Sequence, residues 1–195
     1  MLLRVASVVD ETLAEGPGAR FALWVQGCSL RCPGCCNPHL FAAEAAPPVE
    51  VAALLERLSR VRARVEGVTL LGGEPFEQAA PLAEFAVGAR ALGLSVMTFS
   101  GYTREELEGP SAPAGSAALL RTTDLLVDGR YRAGEPETAR RWAGSRNQRF
   151  HFMTDRYALG IEQIAPGSAA QTVELRIGPD GRLEVSGWPE RWKLR

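Results

Sequence analysis

Short β-rich runs alternate with longer amphipathic stretches along most of this chain, and this alternation limits its fold more than any other feature. The β-rich runs lie at residues 20–25, 66–71, 94–99 and 125–127, and the helical stretches lie at 49–65, at 79–92 and after Thr103. Strands that alternate with helices predict parallel strands joined by right-handed crossovers. Because the βα units are too few for a closed eight-stranded barrel, we predict an α/β fold built as an open partial barrel.

The pattern changes towards the carboxyl end, where residues 172–177 and 182–185 alternate with period two around a Gly-Pro-Asp-Gly turn. Such alternation around turn residues predicts a β-hairpin. We therefore expect a partial-barrel domain over residues 1–160, and a hairpin and tail over 161–195 that pack on the same domain. Two roles stay open for this extension: it closes the open edge or core of the sheet, or it docks a partner or covers a substrate.

All four cysteines lie close together, and the first three, Cys28, Cys32 and Cys35, have the spacing C-x-x-x-C-x-x-C. Three thiolates at this spacing offer ligands to a four-iron cluster and leave one iron open, because such clusters are normally held by cysteine thiolates, usually four. A zinc site is the alternative, with Cys36 and His39 as further donors. Disulfides are disfavoured because all the cysteines lie in one short stretch. We therefore expect a reduced, cytoplasmic protein.

Composition and charge argue against several classes of partner. A formal net charge of −1 over 195 residues gives no general attraction to nucleic acid or to anionic membranes. Arg4 and Asp10 interrupt the apolar N-terminus too soon for a signal peptide, and no run reaches the roughly 18 apolar residues of a membrane helix. We expect neither a nucleic-acid partner nor a membrane partner.

Three separated segments carry motifs. The first is the run at residues 16–28 with Cys32 and Cys35 behind it, the second is Gly72-Gly73-Glu74-Pro75, and the third is Gly144-Ser145-Arg146-Asn147-Gln148-Arg149. The first two resemble the cluster loop and the Gly-Gly-Glu-Pro motif of radical S-adenosylmethionine (SAM) enzymes, most of all the glycyl-radical-enzyme activases. The third resembles a motif of the anaerobic ribonucleotide reductase activating proteins.

This resemblance implies the radical SAM type of partial barrel, with a [4Fe-4S] cluster and SAM as cofactors. It implies that Cys28, Cys32 and Cys35 are the catalytic residues that hold the cluster. It also places the SAM-binding residues at successive strand ends: Gly72, Gly73, Glu74, Pro75, Ser100, Asp128 and Arg130.

Within that set, the glycines permit close backbone approach and Glu74 offers an acceptor to the methionyl ammonium. Ser100 is a candidate contact to the ribose or adenine, or else a simple turn residue. Asp128 lies in the region that forms the cofactor site in the resembled family, and Arg130 is the candidate for the methionyl carboxylate. Outside the set, many radical SAM enzymes have an aromatic residue on the adenine at the position of Gly34, whereas the reductase activases commonly have one directly after the third cysteine. This chain has Cys36 at that second position, so the aromatic contact to the adenine is left unassigned.

The same resemblance implies that this protein makes a 5′-deoxyadenosyl radical and abstracts hydrogen from a glycine of a partner such as anaerobic ribonucleotide reductase. A flavodoxin- or ferredoxin-like protein is the expected reductant. The third motif supplies a polar cluster suited to a carboxylate or a partner backbone, or else a solvated loop: Arg146, Asn147, Gln148 and Arg149.

Two other functions stay open. The first is a radical SAM enzyme that acts on a small molecule or a peptide, which Cys36 and the added hairpin allow. The second is a non-catalytic iron–sulfur protein that transfers electrons or senses redox state. Glu74 and its glycines count against the second, because an electron carrier needs no site for the SAM amine.

Overall fold

The computed structural model describes residues 1–164, 173–177, 181 and 183–187 of the chain, which form a mixed α/β fold. The strands are β1 (Leu2–Thr12), β2 (Arg20–Val25), β3 (Pro48–Glu50), β4 (Gly67–Gly72), β5 (Ser95–Phe99), β6 (Leu125–Asp128), β7 (Arg149–Phe152), β8 (Val173–Ile177) and β9 (Leu183–Gly187). The α-helices are α1 (Val51–Val61), α2 (Ala79–Ala91), α3 (Arg104–Glu108) and α4 (Ser116–Thr122).

A seven-stranded sheet with the order β3-β1-β2-β4-β5-β6-β7 dominates the fold. Its centre is parallel, since β2, β4, β5 and β6 all run in one direction. Antiparallel neighbours flank this centre, with β1 beside β2 and β7 beside β6. The predicted parallel strands are therefore confirmed. Over the described residues, the sheet ends at β3 and β7 and forms no closed barrel.

The helices α1, α2 and α4 pack on one face of this sheet. The predicted amphipathic character of α1 is confirmed, because Val51, Leu54, Leu58 and Val61 are its buried residues. The short helix α3 follows Thr103, as predicted, and begins at a capping box in which Thr103 and Glu106 cap each other's backbone amides, an arrangement that satisfies two otherwise unpaired donors. Local sequence signals thus place α1, α2 and α3 correctly, whereas α4 was not predicted.

The opposite face of the sheet carries a smaller apolar cluster around Met97, Leu125 and Val127. Alternate residues of a strand point to opposite faces, so these side chains are directed away from the helices. Partly buried aromatic residues pack against them, among them Phe99 and Trp142. Both of those aromatics also line the candidate site described below.

Strand β1 was not predicted, although it runs for 11 residues beside β2. Its pairing is irregular, with register shifts between Val5 and Ser7 and between Val9 and Thr12. Bulges of this kind interrupt the two-residue period from which strands are predicted. The apolar N-terminus is therefore an antiparallel strand of the sheet.

A buried arginine ties together the amino-terminal ends of the parallel strands. Arg20 is fully buried and donates to Glu66 Oε2 at 2.9 Å, Ser95 Oγ at 2.7 Å and Tyr157 Oη at 2.8 Å. Its Nε also donates to Thr69 Oγ1 at 3.0 Å. Because a buried charge is tolerated only when it is paired and hydrogen-bonded, this network stabilises the end of the sheet that lies away from the cysteines.

The predicted C-terminal hairpin is confirmed as the antiparallel pair β8 and β9. It contacts the body through hydrogen bonds from Thr12 to the Glu174 carboxylate and from the Gly187 N–H to Glu15. The predicted tail after residue 187 lies outside the described residues. In the part of the chain that the structure describes, no helix is long and apolar enough to cross a membrane.

Candidate functional site

The cysteine loop begins directly after β2, as the sequence predicts. Its base is closed by the Gly27 N–H, which donates to the Leu40 carbonyl at 2.8 Å, and by the Gln26 side chain, which donates to the Ala42 carbonyl at 2.7 Å. The three cysteines of the motif are partly buried and Cys36 is exposed. The backbone therefore holds the loop at its base, and the thiols lie beyond it.

A cavity of about 370 Å³ lies at the carboxyl ends of the parallel strands. The cysteine loop and the loops after β4, β5 and β6 each contribute to its lining: Cys28, Cys32, Cys35, Glu74, Ser100 and Gly129. Open α/β folds bind ligands at this edge of the sheet. Residues that are far apart in sequence thus meet around one cavity.

The three thiols fit an iron–sulfur cluster. Thiolates are the usual ligands of such clusters, and each binds a different iron atom. The described residues contain no group of three His, Cys, Asp or Glu side chains that could hold a single metal ion. An iron–sulfur cluster does not need such a group, because its thiolates bind different iron atoms. Cys28, Cys32 and Cys35 would hold the cluster within the cavity.

Cys35 and Cys36 are adjacent in the chain, and each affects the ionisation of the other. The Cys36 thiol lowers the pKa of Cys35 to about 6, and the Asn37 N–H, 3.4 Å from the Cys35 sulfur, acts in the same direction. The neighbouring Cys35 raises the pKa of Cys36 instead. Cys35 is therefore the better thiolate of the pair, as a metal ligand must be.

Glu74 is the most buried acidic group of the cavity, with 1% of its surface exposed. Its carboxylate accepts hydrogen bonds from the Phe76 N–H at 2.9 Å, the Gly101 N–H at 2.8 Å and the Ser100 hydroxyl at 2.9 Å. Burial raises its pKa to about 7, against the opposing effect of these donors. A carboxylate has about four acceptor positions, so roughly one stays open to a ligand.

This arrangement assigns Ser100 and Pro75 local roles. The Ser100 hydroxyl orients the Glu74 carboxylate and also accepts from the Tyr102 N–H at 3.0 Å. Pro75 begins the 3-10 turn Pro75–Gln78, from which the Phe76 N–H reaches Glu74. Both residues therefore position the acidic group within the cavity.

At Gly72 and Gly73 the end of β4 packs directly against the start of the cysteine loop. The Gly73 N–H donates to the Val25 carbonyl and the Glu74 N–H donates to the Gly27 carbonyl, each at 2.8 Å. A Cβ at Gly73 would lie 2.2 Å from the Gly27 oxygen, and Gly72 has a φ of +106°. Sequence reasoning ascribed the glycines to ligand approach, whereas the close approach in the structure is to the backbone of the cysteine loop.

Asp128 and Arg130 are held in ion pairs beside the cavity. Asp128 is fully buried. Its carboxylate accepts hydrogen bonds from Arg149 Nε at 3.1 Å and from the Arg104 N–H at 2.6 Å. Burial raises the pKa of Asp128, but these donors outweigh it and leave the pKa below its ordinary value. Arg130 pairs with Glu106 at 2.8 Å. Gly129, which lies between Asp128 and Arg130, lines the cavity, whereas those two residues do not.

The Gly144–Arg149 motif uses most of its side chains to hold its own loop against the β6 loop. Gln148 accepts from the Gly144 N–H at 2.8 Å and donates to the Gly129 carbonyl at 3.2 Å. Asn147 donates to the Arg130 carbonyl at 2.8 Å, and Arg149 pairs with Asp128 and Glu105. Arg146 is exposed, and its guanidinium forms no hydrogen bond or ion pair within the described chain. It is the member of the motif that is best placed to contact another molecule.

Three further cavity residues were missed by sequence reasoning: Glu15, Arg141 and Trp142. Burial raises the pKa of Glu15 to about 7, and the Gly187 N–H of the hairpin donates to its carboxylate at 2.5 Å. No sequence signal marks Glu15, because its hydrogen-bond partner lies 172 positions away. Arg141 and Trp142 precede the third motif directly, and only that adjacency could have indicated them.

Comparison with known proteins bears on the cluster and on the family. A model described as a 4Fe-4S single cluster domain matches residues 14–151, which indicates a 4Fe-4S cluster and favours it over zinc. An anaerobic ribonucleoside-triphosphate reductase-activating protein of Enterobacteria phage T4 is 30% identical over 147 residues, covering 72% of this chain and 88% of the phage protein.

Proteins of the same name from two bacteria are similar. The protein of Escherichia coli K12 is 28% identical over 151 residues, and that of Pasteurella multocida is 29% identical over 149 residues. These matches cover 93% and 92% of the two bacterial proteins. The chain therefore belongs to the 4Fe-4S single cluster domain family and, within it, to the anaerobic ribonucleoside-triphosphate reductase-activating proteins.

Proposed function

We propose that this protein is a radical SAM enzyme that generates a glycyl radical on an anaerobic ribonucleotide reductase. The observation that carries the proposal is the meeting of three cluster thiols and the fixed carboxylate of Glu74 around one cavity. The relatives are named as activating proteins of that reductase, and the chain spans most of their length.

In this proposal each group of residues has a distinct task. Cys28, Cys32 and Cys35 hold the cluster, and the acceptor position left open on Glu74 receives the methionyl ammonium of SAM. When bound, the cluster and SAM supply reductive cleavage, which yields methionine and a 5′-deoxyadenosyl radical able to take a hydrogen atom from a glycine α-carbon. Gly72 and Gly73 keep Glu74 beside the cysteine loop.

The fold supports a protein substrate. We interpret the seven-stranded sheet as the partial barrel of radical SAM enzymes, with residues 1–160 as the catalytic unit and 161–195 as an extension packed on it. A sheet that does not close over its described residues leaves a side through which a glycine-bearing loop can enter. Arg146 is exposed and serves as a contact for that partner.

The cell compartment and the reductant follow from the same chemistry. Four free cysteines and a thiolate-held cluster suit a reducing cytoplasm. A flavodoxin- or ferredoxin-like protein supplies the electron, since the described residues contain no second group of cysteines.

A second candidate is a radical SAM enzyme that acts on a small molecule or a peptide. It is favoured by the hairpin, which lies beyond the region matched by the family model and contributes Val185 and Gly187 to the cavity wall. The hairpin therefore leaves less room at the cavity for a bulky protein partner than for a small molecule or a peptide. An iron–sulfur protein without catalysis is disfavoured, because it has no use for the buried and oriented carboxylate of Glu74.

The proposal is tested by mixing the anaerobically reconstituted protein with SAM, a one-electron reductant and the anaerobic ribonucleotide reductase of the same genome. We expect a glycyl radical doublet by electron paramagnetic resonance, together with 5′-deoxyadenosine and methionine. The control is Glu74→Gln, which should keep its cluster and lose the radical. Cleavage of SAM without a radical on the reductase would favour the second candidate, and an intact cluster without SAM cleavage would exclude radical SAM chemistry.

A further inference from the structure

The turn that contains Arg141 and Trp142 forms a strained part of the cavity wall. Trp142 has a φ of +64°, a left-handed conformation that is rare and strained for a bulky side chain. Such strain persists where the surrounding structure imposes it, often at binding sites. Here both residues of the turn line the cavity.

Arg141 lines the cavity, and its guanidinium has no partner within the described chain. Four nearby arginines are engaged in ion pairs: Arg130 with Glu106, Arg132 with Glu135, Arg140 with Glu137, and Arg149 with Asp128 and Glu105. Arg146 is also unpaired, but it is exposed and does not line the cavity. Arg141 uses its backbone N–H to donate to the Glu162 carbonyl at 2.7 Å. Arg141 is a partly buried residue of the cavity wall with an unpaired guanidinium, and such a residue is suited to bind an anionic group of a ligand.

The chemistry of the cavity indicates which anionic group this is. An α-amino acid carries one ammonium and one carboxylate, so a site for it needs one acceptor and one cationic donor. Glu74 provides a buried carboxylate with about one acceptor position open. Arg141 provides the cation, whereas Arg130 is paired with Glu106 and is absent from the cavity lining.

We propose that Arg141, rather than Arg130, binds the carboxylate of the methionyl group of SAM. The inference rests on the proposed function and names a specificity-determining residue of that same site. The planar guanidinium can meet a carboxylate with two parallel hydrogen bonds, which a glutamine cannot reproduce. The strained turn at Trp142 holds Arg141 at the cavity wall.

The test measures binding by isothermal titration to the anaerobically reconstituted protein. The ligands are SAM and decarboxylated SAM, and the variants are Arg141→Gln, Arg141→Lys and the matched control Arg130→Gln. Iron content and thermal midpoint establish that each variant is folded and carries its cluster. We expect Arg141→Gln to weaken SAM binding about tenfold or more, Arg141→Lys to weaken it less, and Arg130→Gln to leave it unchanged.

The decisive comparison is between the two ligands. For each protein we compare the affinity for SAM with the affinity for decarboxylated SAM. This loss of affinity should be at least about tenfold smaller in Arg141→Gln than in the original protein, because the variant has already lost the contact with the carboxylate. An equal cost in both proteins would overturn the proposal, and so would a selective loss in Arg130→Gln. If the original protein binds no SAM at all, the proposed function itself fails, a result distinct from failure of the Arg141 assignment.

Discussion

Individual side chains of the cavity owe their chemical state to their immediate neighbours. Glu74 is oriented by two backbone amides and the Ser100 hydroxyl, and burial raises its pKa to about 7. Cys35 becomes the better thiolate because the neighbouring Cys36 thiol lowers its pKa. The residue types are evident from the sequence, whereas their protonation depends on these contacts.

The cysteines are predicted to divide into three cluster ligands and one spare thiol. Alanine at Cys28, Cys32 or Cys35 should abolish the 4Fe-4S cluster, because each removes one of three ligands at the cavity wall. Cys36→Ala should retain it, since Cys36 lies outside the C-x-x-x-C-x-x-C spacing. Iron and sulfide analysis after anaerobic reconstitution measures both. Loss of the cluster in Cys36→Ala together with retention in one of the other three would refute this division.

At the scale of elements, the site depends on how closely the end of β4 approaches the cysteine loop. Two hydrogen bonds of 2.8 Å join them, from Gly73 to Val25 and from Glu74 to Gly27. The same contact brings the acidic turn and the thiols to one cavity. The close packing of the β4 end against the cysteine loop therefore requires the Gly-Gly pair, whether or not a ligand also approaches these glycines.

Gly73→Ala is predicted to disturb the contact between the end of β4 and the cysteine loop. The added Cβ would lie 2.2 Å from the Gly27 oxygen, so the β4 turn and the cysteine loop must separate, at a cost of about 3 kcal/mol in the free energy of unfolding. Cluster content should fall as well. The matched control is Gly134→Ala, where a Cβ meets nothing within 4 Å; its stability should change by less than about 0.5 kcal/mol. Equal unfolding midpoints in urea for the two variants would contradict the prediction.

At the scale of the whole molecule, the cavity joins the sheet, the cysteine loop and the C-terminal hairpin. Glu15 lies where the hairpin meets the body and, like Glu74, has a pKa raised to about 7 by burial. A carboxyl group with a raised folded-state pKa binds its proton more tightly in the folded state. It therefore contributes stability below its unfolded-state pKa, and this contribution is lost as the pH rises through the folded-state pKa.

We predict that the cluster-free protein loses stability between about pH 4.5 and pH 7, the window set by the ordinary and raised pKa values of Glu15. Glu15→Gln keeps an acceptor for the Gly187 N–H and removes the ionisation, so it should gain on the order of 3 kcal/mol relative to the original protein at pH 7.5 and little at pH 4. Urea unfolding at the two pH values measures this. Glu44→Gln, at an exposed position, is the control and should match the original protein at both. A pH-independent difference for Glu15→Gln would contradict the prediction.

The sequence by itself determined the parallel centre of the sheet, the helices α1, α2 and α3 between its strands, the hairpin and the position of the cysteine loop after β2. These features depend on periodicity, capping residues and short spacings, which are local properties of the chain. The irregular strand β1 escaped prediction because its bulges break the two-residue period.

Only the tertiary structure decided which charged groups face the cavity. Arg130 and Arg141 are similar in sequence terms, yet one pairs with Glu106, 24 residues away, and the other lines the cavity without a partner in the described chain. Glu15 accepts a hydrogen bond from a hairpin residue 172 positions further along, and the glycine pair is required by a backbone contact with the cysteine loop. Such pairings depend on distances between atoms of remote segments, which no local pattern encodes.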